Sequence, residues 1–435
     1  MATTLFAIFY NLIFSPLFFI LAHLAAPFHP KIRKGLFGRY KTNRTLRNNI
    51  SSFPMFTLLI HCASMGEFEH IKPFIRSFKR QLPQSRIVVM FFSPSGFENV
   101  KEFPSVDLFI YSPFDWWLPV LRTYKIVKPS AFIIAKHDVW PNQIWIAHLL
   151  KIPCFLINAS LHDGSKRLRP LSRGFHKMIY DKLSSIITIS KNDRDNYQKL
   201  VQAEKIVIAG DTKFEQVILR MEESKKKKVL PEEIWLEKKV IVAGSIWPED
   251  EEQLLPALKA LLEQYKDLLI ITCPHEPTDF HINALREKFL PVATCLYSNL
   301  DGYSEEQVII IDRVGLLANL YSIADTAYVG GGFKQNVHNV LEPAVYAIPV
   351  IFGPINQNSH EAQLLKESGG GIEVHNPAEI NDVLTHFFSD EFYRQKIGVL
   401  ASKVVMDNTG ATQRTIDAIM PFLRSNYRFK EGLSK

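Results

Sequence analysis

The sequence predicts two Rossmann-like α/β domains in tandem, with a ligand cleft between them and an apolar anchor segment ahead of them. Three observations lead there. From residue 56 onward, short continuous apolar runs alternate with amphipathic stretches. That alternation breaks at a charged stretch, 215–237, and then begins again. Residues 1–30 contain no Asp, Glu, Lys or Arg. Continuous apolar strands separated by helices mean a parallel sheet covered on both faces. The composition agrees: 435 residues, 47% hydrophobic and 22% charged, with 20 Gly and 25 Pro, exclude a disordered chain, a collagen-like fibre and a polytopic membrane protein.

The first element is the apolar segment 5–27, LFAIFYNLIFSPLFFILAHLAAP. As a helix it would run roughly 33 Å, enough to cross a hydrocarbon core. Pro16 predicts a kink, and Asn11, Ser15 and His23 interrupt the apolar run. A signal peptide would need a basic start and a small-x-small cleavage site, which are missing. It is the least favoured of three readings, behind a buried core helix and a membrane anchor, spanning or lying in the interface, which is the favoured one. The anchor explains the next feature: Lys31, Arg33, Lys34, Arg39, Lys41, Arg44 and Arg47 follow, with no acid before Glu67. Such a run suits the positive-inside rule and anionic headgroups of an inner membrane. It also accounts for the formal net charge of +7, so nucleic acid is not an expected partner. Cys62, Cys154, Cys273 and Cys295 have no zinc spacing and read as buried free thiols in a reducing compartment.

Seven strands are expected at 56–62, 86–92, 106–111, 131–135, 152–158, 184–189 and 205–210, with helices such as 66–82 and 192–202. The stretch 215–237 reads as the interdomain connection, and Lys225 to Lys228 as its solvated part. Five more strands follow at 238–245, 267–273, 307–312, 326–332 and 348–353, with helices at 248–265, 314–324, 337–347 and 359–368. The expected division is an anchor at 1–30, a first domain at 31–215 and a second at 216–435.

In an open α/β sheet the ligand sits beyond the carboxyl ends of the strands. After the first strand, Ser64, Gly66 and Glu67 make a small-residue turn into a helix. Glu67 is either a first-turn carboxylate favouring the helix dipole or a cleft-facing general base. After the fourth strand, Asp138 and Trp140 precede Pro141-Asn142. They line a sugar site, or Asp138 merely caps the helix. In the second half, Gly244-Ser245 and Gly330-Gly331-Gly332 join strands to helices and offer backbone N–H groups to a phosphate. Glu342, in the helix that follows, is placed to hold ribose hydroxyls. Lys213 is either a cation within reach of an anionic ligand or an exposed lysine. Asp193-Arg194-Asp195 matches the DxD of metal-dependent sugar transferases but sits at a helix start, where capping and solvation explain it; no metal is expected. GxxxxGK[ST], GxSxG and HExxH do not occur.

Together HCASMGEFE, FFSPSG, KHDVWPN, GDTKFE, AGSIWPEDEE, PHEP and GGGFKQNVHNVLEPA resemble the family of 3-deoxy-D-manno-octulosonic acid (Kdo) transferases, over nearly the whole chain. The resemblance implies a GT-B fold with the acceptor site in the first domain and the nucleotide site in the second. It implies inverting, metal-independent transfer of Kdo from CMP-Kdo to a lipid A precursor (lipid IVA), in lipopolysaccharide core biosynthesis, with no cofactor. It implies a chain anchored at the cytoplasmic face of a bacterial inner membrane. By position, Glu67 resembles the family's catalytic base. Gly330 to Gly332, Asn339 and Glu342 resemble CMP contacts, Lys213 a cleft cation near the donor, and Pro274 and His338 lie in matching donor-side motifs. Ser64, Gly66, Asp138 and Trp140 fall on the acceptor side. The chain departs from the pattern at Lys136-His137-Asp138, at Trp247 and at His275-Glu276, where many members carry Arg-His. Two alternatives are another membrane-associated GT-B transferase or epimerase using a UDP-sugar, and a non-catalytic membrane scaffold.

Overall fold

A computed structural model of the chain describes residues 2–50, 56–100, 102–225 and 227–426. The expected domain ranges also take in residues 1, 51–55, 101, 226 and 427–435, which lie outside these; so does Lys226 of the lysine run. The chain divides into two units, 1–216 with 409–435, and 217–408.

The first unit is built on a seven-stranded parallel sheet in the order β3-β2-β1-β4-β5-β6-β7. Its strands are β1 (Thr57–Cys62), β2 (Arg86–Phe91), β3 (Leu108–Tyr111), β4 (Ala131–Ala135), β5 (Cys154–Ala159), β6 (Ser185–Thr188) and β7 (Ile206–Ile208). All are parallel, with Leu58 paired to Ala131 and Thr57 to Arg86 on the two sides of β1. Alternate residues serve two cores: Leu59, Val88, Phe132 and Leu156 on one face, Leu58, Val89, Ile133 and Phe155 on the other. A strand covered on both faces has no polar side to show, which is why these runs are apolar throughout.

The second unit repeats the plan with β10-β11-β9-β8-β12-β13-β14. These are β8 (Lys239–Ile246), β9 (Leu268–Pro274), β10 (Thr294–Leu296), β11 (Val308–Ile310), β12 (Thr326–Val329), β13 (Val350–Phe352) and β14 (Gly371–Glu373). The edge strands β10 and β14 were not expected; at three residues each they are too short for periodicity to reveal. The 314–324 and 337–347 helices are also shorter than expected, with α-helix only at Leu317–Leu320 and Leu341–Ala344.

The division of the chain differs from expectation at both ends. The last helix, Ala411–Asn426, belongs to the first unit, because Ile416, Ile419 and Leu423 are buried in its core beside Phe74 and Ile75. The expected connection, 215–237, begins inside the Lys213–Ser224 helix, and the boundary between the units falls inside that helix. The N-terminal segment is not separate either. Tyr10 is buried in the first core, with Phe6 and Ala7 packed against it.

Phe6–Ala25 is long and apolar enough to cross a membrane, with mean hydropathy 1.8. Its polar residues face the first unit. The Tyr10 hydroxyl donates to Asp115 (2.8 Å), Asn11 Nδ2 to Asn142 Oδ1 (2.9 Å) and the Ser15 hydroxyl to the Asp115 carbonyl (3.1 Å). On the other side Phe9, Leu12, Ile13, Leu17, Leu21 and Leu24 are exposed. Pro16 does not break the helix. One π-helical turn, Tyr10–Phe14, precedes it, and the Ser15 N–H reaches back to the Tyr10 carbonyl. The wider turn accommodates a residue that has no N–H and would crowd the carbonyl four residues before it. The basic helix Pro30–Asn49 follows. Arg39 is withdrawn from its charged set: it donates to the Phe92 carbonyl (2.6 Å), lies over the Phe92 ring, and burial pushes its pKa down to about 10.

Candidate functional site

Each sheet has one topological switch point, where the strand order reverses and the loops leave a crevice. In the first unit it lies between β1 and β4. The turn after β1 carries Ser64, Gly66 and Glu67, and the turn after β4 carries Asp138 and Trp140, so these five residues lie at the carboxyl ends of two adjacent strands. Glu67 is 8% exposed in the first turn of the Met65–Gln81 helix. Its Oε2 accepts the Ala63 N–H at 2.5 Å; Oε1 has no protein partner among the described residues. Burial raises the Glu67 pKa, and the Ala63 hydrogen bond opposes that only in part. Gly66 differs from most glycines of the chain. A side chain there would meet only Ser64 Oγ, at 3.9 Å, so no internal contact requires glycine and the space above the turn is open.

Asp138 is not a helix cap. Its Oδ2 accepts from His61 Nε2 (2.9 Å) and from the Trp140 indole N–H (2.9 Å). Burial alone would raise this carboxyl, but the hydrogen bonds from His61 and Trp140 outweigh it and hold the pKa below the usual range. His61, fully buried, sits two residues before Ala63, and its charge-assisted bond ties β1 to the loop after β4. Trp140 also stacks on Phe92, with centroids 4.7 Å apart. Lys213 is in the same unit, and is a mostly enclosed side chain rather than an exposed one. It pairs with Asp211 at 3.4 Å, and burial lowers its pKa.

In the second unit the switch point lies between β8 and β12. Gly244 and Ser245 end β8, Pro274 ends β9, and Gly330 to Gly332 follow β12. Two of the three glycine N–H groups in this turn, those of Gly330 and Gly331, are used internally. Gly330 N donates to the Gly244 carbonyl (2.9 Å). Gly331 N (2.7 Å) and Phe333 N (3.4 Å) donate to Asp250. The glycines are there for close approach. A Cβ on Gly330 would stand 2.3 Å from the Ser245 carbonyl oxygen, and one on Gly332 2.5 Å from Gly353 N. Ser245 itself takes φ +55, a left-handed backbone that a non-glycine residue adopts at a cost.

The residue that organises this turn, Asp250, was missed. It is fully buried, and besides the two turn N–H groups it accepts from Trp247 N (2.9 Å) and the Tyr328 hydroxyl (3.0 Å). Within Pro248-Glu-Asp-Glu-Glu it reads as one more first-turn acid. The only signal was its place three residues after Trp247, the capping-box spacing. Three rings cluster beside it. Trp247 stacks on His275 (4.4 Å), His275 on His338 (4.4 Å), and the Trp247 indole N–H donates to His338 Nε2 (2.9 Å). Burial and the neighbouring His275 lower the His338 pKa. Glu342 lies further along: its Oε1 accepts from Arg220 (2.6 Å) and from Asn339 Nδ2 (3.3 Å).

Asp193 of the DxD look-alike is a structural acceptor: it takes the Leu161 N–H (2.6 Å) and the Ser190 hydroxyl, while Asp195 pairs with Arg194. The four cysteines are buried and free.

A family model described as 3-deoxy-D-manno-octulosonic-acid transferase (kdotransferase) matches residues 33–216. A curated 3-deoxy-D-manno-octulosonic acid transferase of Aquifex aeolicus is 30% identical over 335 residues, 76% of this chain and 86% of its own. That of Haemophilus influenzae is 29% identical over 428 residues, 95% of this chain and 97% of its own. In fold, the chain is similar to the crystal structure of UDP-GlcNAc 2-epimerase from Neisseria meningitidis (TM-score 0.60, 14% identity, 84% of this chain and 100% of that one).

Proposed function

We propose that this chain, which belongs to the Kdo transferase family and is a glycosyltransferase of GT-B fold, uses Glu67 as the base that activates its acceptor. The reaction moves Kdo from CMP-Kdo to a lipid A precursor. Glu67 takes the proton from a sugar hydroxyl of the acceptor, the hydroxyl oxygen bonds to the anomeric carbon of Kdo, and the bond from that carbon to the CMP phosphate breaks, with inversion. One observation carries the assignment. An enclosed carboxylate with a raised pKa keeps one oxygen free at the switch point, beside the open space over Gly66. Such a carboxylate is a stronger base than an ordinary one. Asp138, held by His61 and Trp140, orients the acceptor sugar. The second unit takes the nucleotide, with Glu342 and Asn339 at the ribose. No step here calls for a metal.

The exposed apolar side of Phe6–Ala25 and the basic helix after it are read as the membrane-facing surface, at the cytoplasmic side of the inner membrane. Lys31, Arg33, Lys34, Lys41, Arg44 and Arg47 have no ion pair among the described residues and suit anionic lipid headgroups. The polar contacts of Tyr10, Asn11 and Ser15 favour a helix lying in the interface.

Incubation of the full chain with CMP-Kdo and a tetraacyl lipid A precursor, followed by mass spectrometry of the lipid, tests the reading. The lipid should gain the mass of one or more Kdo units, and Glu67→Gln should abolish the gain. Near wild-type turnover by Glu67→Gln would remove Glu67 from the role of base.

A further inference from the structure

The internal use of the Gly330 and Gly331 N–H groups leaves a question: what meets the negative charge of the donor? The loops after β8, β9 and β12, the three adjacent central strands, converge at the switch point of the second unit. Within 245–250, 275–278 and 330–340 a single lysine or arginine occurs, Lys334. Its ammonium sits 3.8 Å from the centre of the Trp247 ring. Both partners are held in place. Lys334 N donates to the Gly331 carbonyl (3.1 Å), and Trp247 is fixed by Asp250, His275 and His338. An ammonium over an indole face keeps its charge with little ordering still to be done when a ligand arrives.

Lys334 is also reachable. Its side chain is 31% exposed, and its acidic neighbour Glu249 stands 3.4 Å away and is 45% exposed. An open pair of that kind is weak and exchangeable. Arg220 of this unit donates to Glu342 (2.6 Å) and is engaged there.

We propose that Lys334, seated on Trp247, is the cation that binds an oxyanion of the sugar-nucleotide donor, and that Glu249 occupies it until the donor displaces it. The oxyanion is either the phosphate or the sugar carboxylate. The inference rests on the CMP-Kdo reading above and assigns a residue that reading leaves open. Trp247, His275 and His338 are positioning residues in this account; Lys334 touches the ligand.

Calorimetric titration of the detergent-solubilised full chain with cytidine, CMP and CMP-Kdo tests it. Lys334→Met should weaken donor binding about tenfold, the effect of one charge-assisted hydrogen bond, and leave cytidine unchanged. Lys334→Arg should stay within a few-fold of wild type, and Glu249→Gln should bind the donor more tightly. The salt dependence of binding should flatten in Lys334→Met. A loss already seen with CMP assigns the phosphate; a loss seen only with CMP-Kdo assigns the carboxylate. Lys334→Met binding both ligands like wild type would overturn the proposal, and unchanged affinity in Glu249→Gln would remove the exchange. If the wild-type chain binds neither CMP nor CMP-Kdo, the CMP-Kdo reading itself fails.

Discussion

Replacing Asp250 separates two kinds of loss. Its carboxylate is fully buried, with Gly331 N (2.7 Å) and Trp247 N (2.9 Å) on Oδ2 and the Tyr328 hydroxyl (3.0 Å) and Phe333 N (3.4 Å) on Oδ1. Asp250→Ala leaves all four donors in a closed site. At roughly 1–3 kcal/mol for each orphaned donor, reduced because the losses are not additive, the cost is about 3–5 kcal/mol. Asp250→Asn behaves differently. Its oxygen can keep Gly331 and Trp247, and its amide can donate to Tyr328, whose hydroxyl turns round to accept. Only Phe333 N, the longest contact, then faces another donor, and the cost is about 1–2 kcal/mol. Amide hydrogen exchange over 328–336 reads this directly. Exchange should be roughly 30- to 100-fold faster in Asp250→Ala than in Asp250→Asn, the equivalent of about 2–3 kcal/mol. Equal exchange in the two variants, or no acceleration in Asp250→Ala, would refute the claim that this carboxylate holds the turn.

Glu67 must be ionised to act, and its pKa is raised by burial, so turnover should fall with falling pH at a point above the ordinary carboxylate value of about 4.3. Ser245→Gly relieves the left-handed backbone and should stabilise the second unit by about 0.5–1 kcal/mol in urea unfolding; a loss of stability would mean that the hydroxyl matters. Asp115 is raised to about 6 by burial, against hydrogen bonds from Tyr10, Asn142 and Gln143. The unfolded chain gives up this proton at about pH 3.9 and the folded chain near 6, so the first unit should lose stability as pH rises between them, by at most about 3 kcal/mol. Asp115→Asn should flatten that slope.

Much of this was legible in the sequence because it depends on local pattern. Strands buried on both faces are continuous apolar runs, and the strand-end rule led to Glu67 and Asp138. What escaped depends on contacts between distant segments. Nothing in Pro-Glu-Asp-Glu-Glu distinguishes Asp250 from its acidic neighbours until β12 lies beside β8. Asn11 and Ser15 looked like flaws in an apolar helix, and Tyr10 like one more residue of its apolar run. At about 100° per residue they fall within one arc of roughly 140°, and that arc is the docked side. The last helix has an amphipathic pattern that says a face is buried but not against which unit. Three glycines in a row after a strand suggested an anion cradle; here they allow Gly330 and Gly332 to approach Ser245 and Gly353.

The return of the 411–426 helix to the first unit matters for synthesis. A ribosome delivers residues 1–216 long before Ile416, Ile419 and Leu423, and these three are almost wholly enclosed in that first core. The second unit, by contrast, is contiguous at 217–408 and can close as soon as it emerges. The order of completion is therefore the reverse of the order of translation, against the usual rule that the leading domain finishes first. Until residues 411–426 arrive, the unit that carries Glu67 has an open apolar flank, and it closes only after the whole of the second unit has been made.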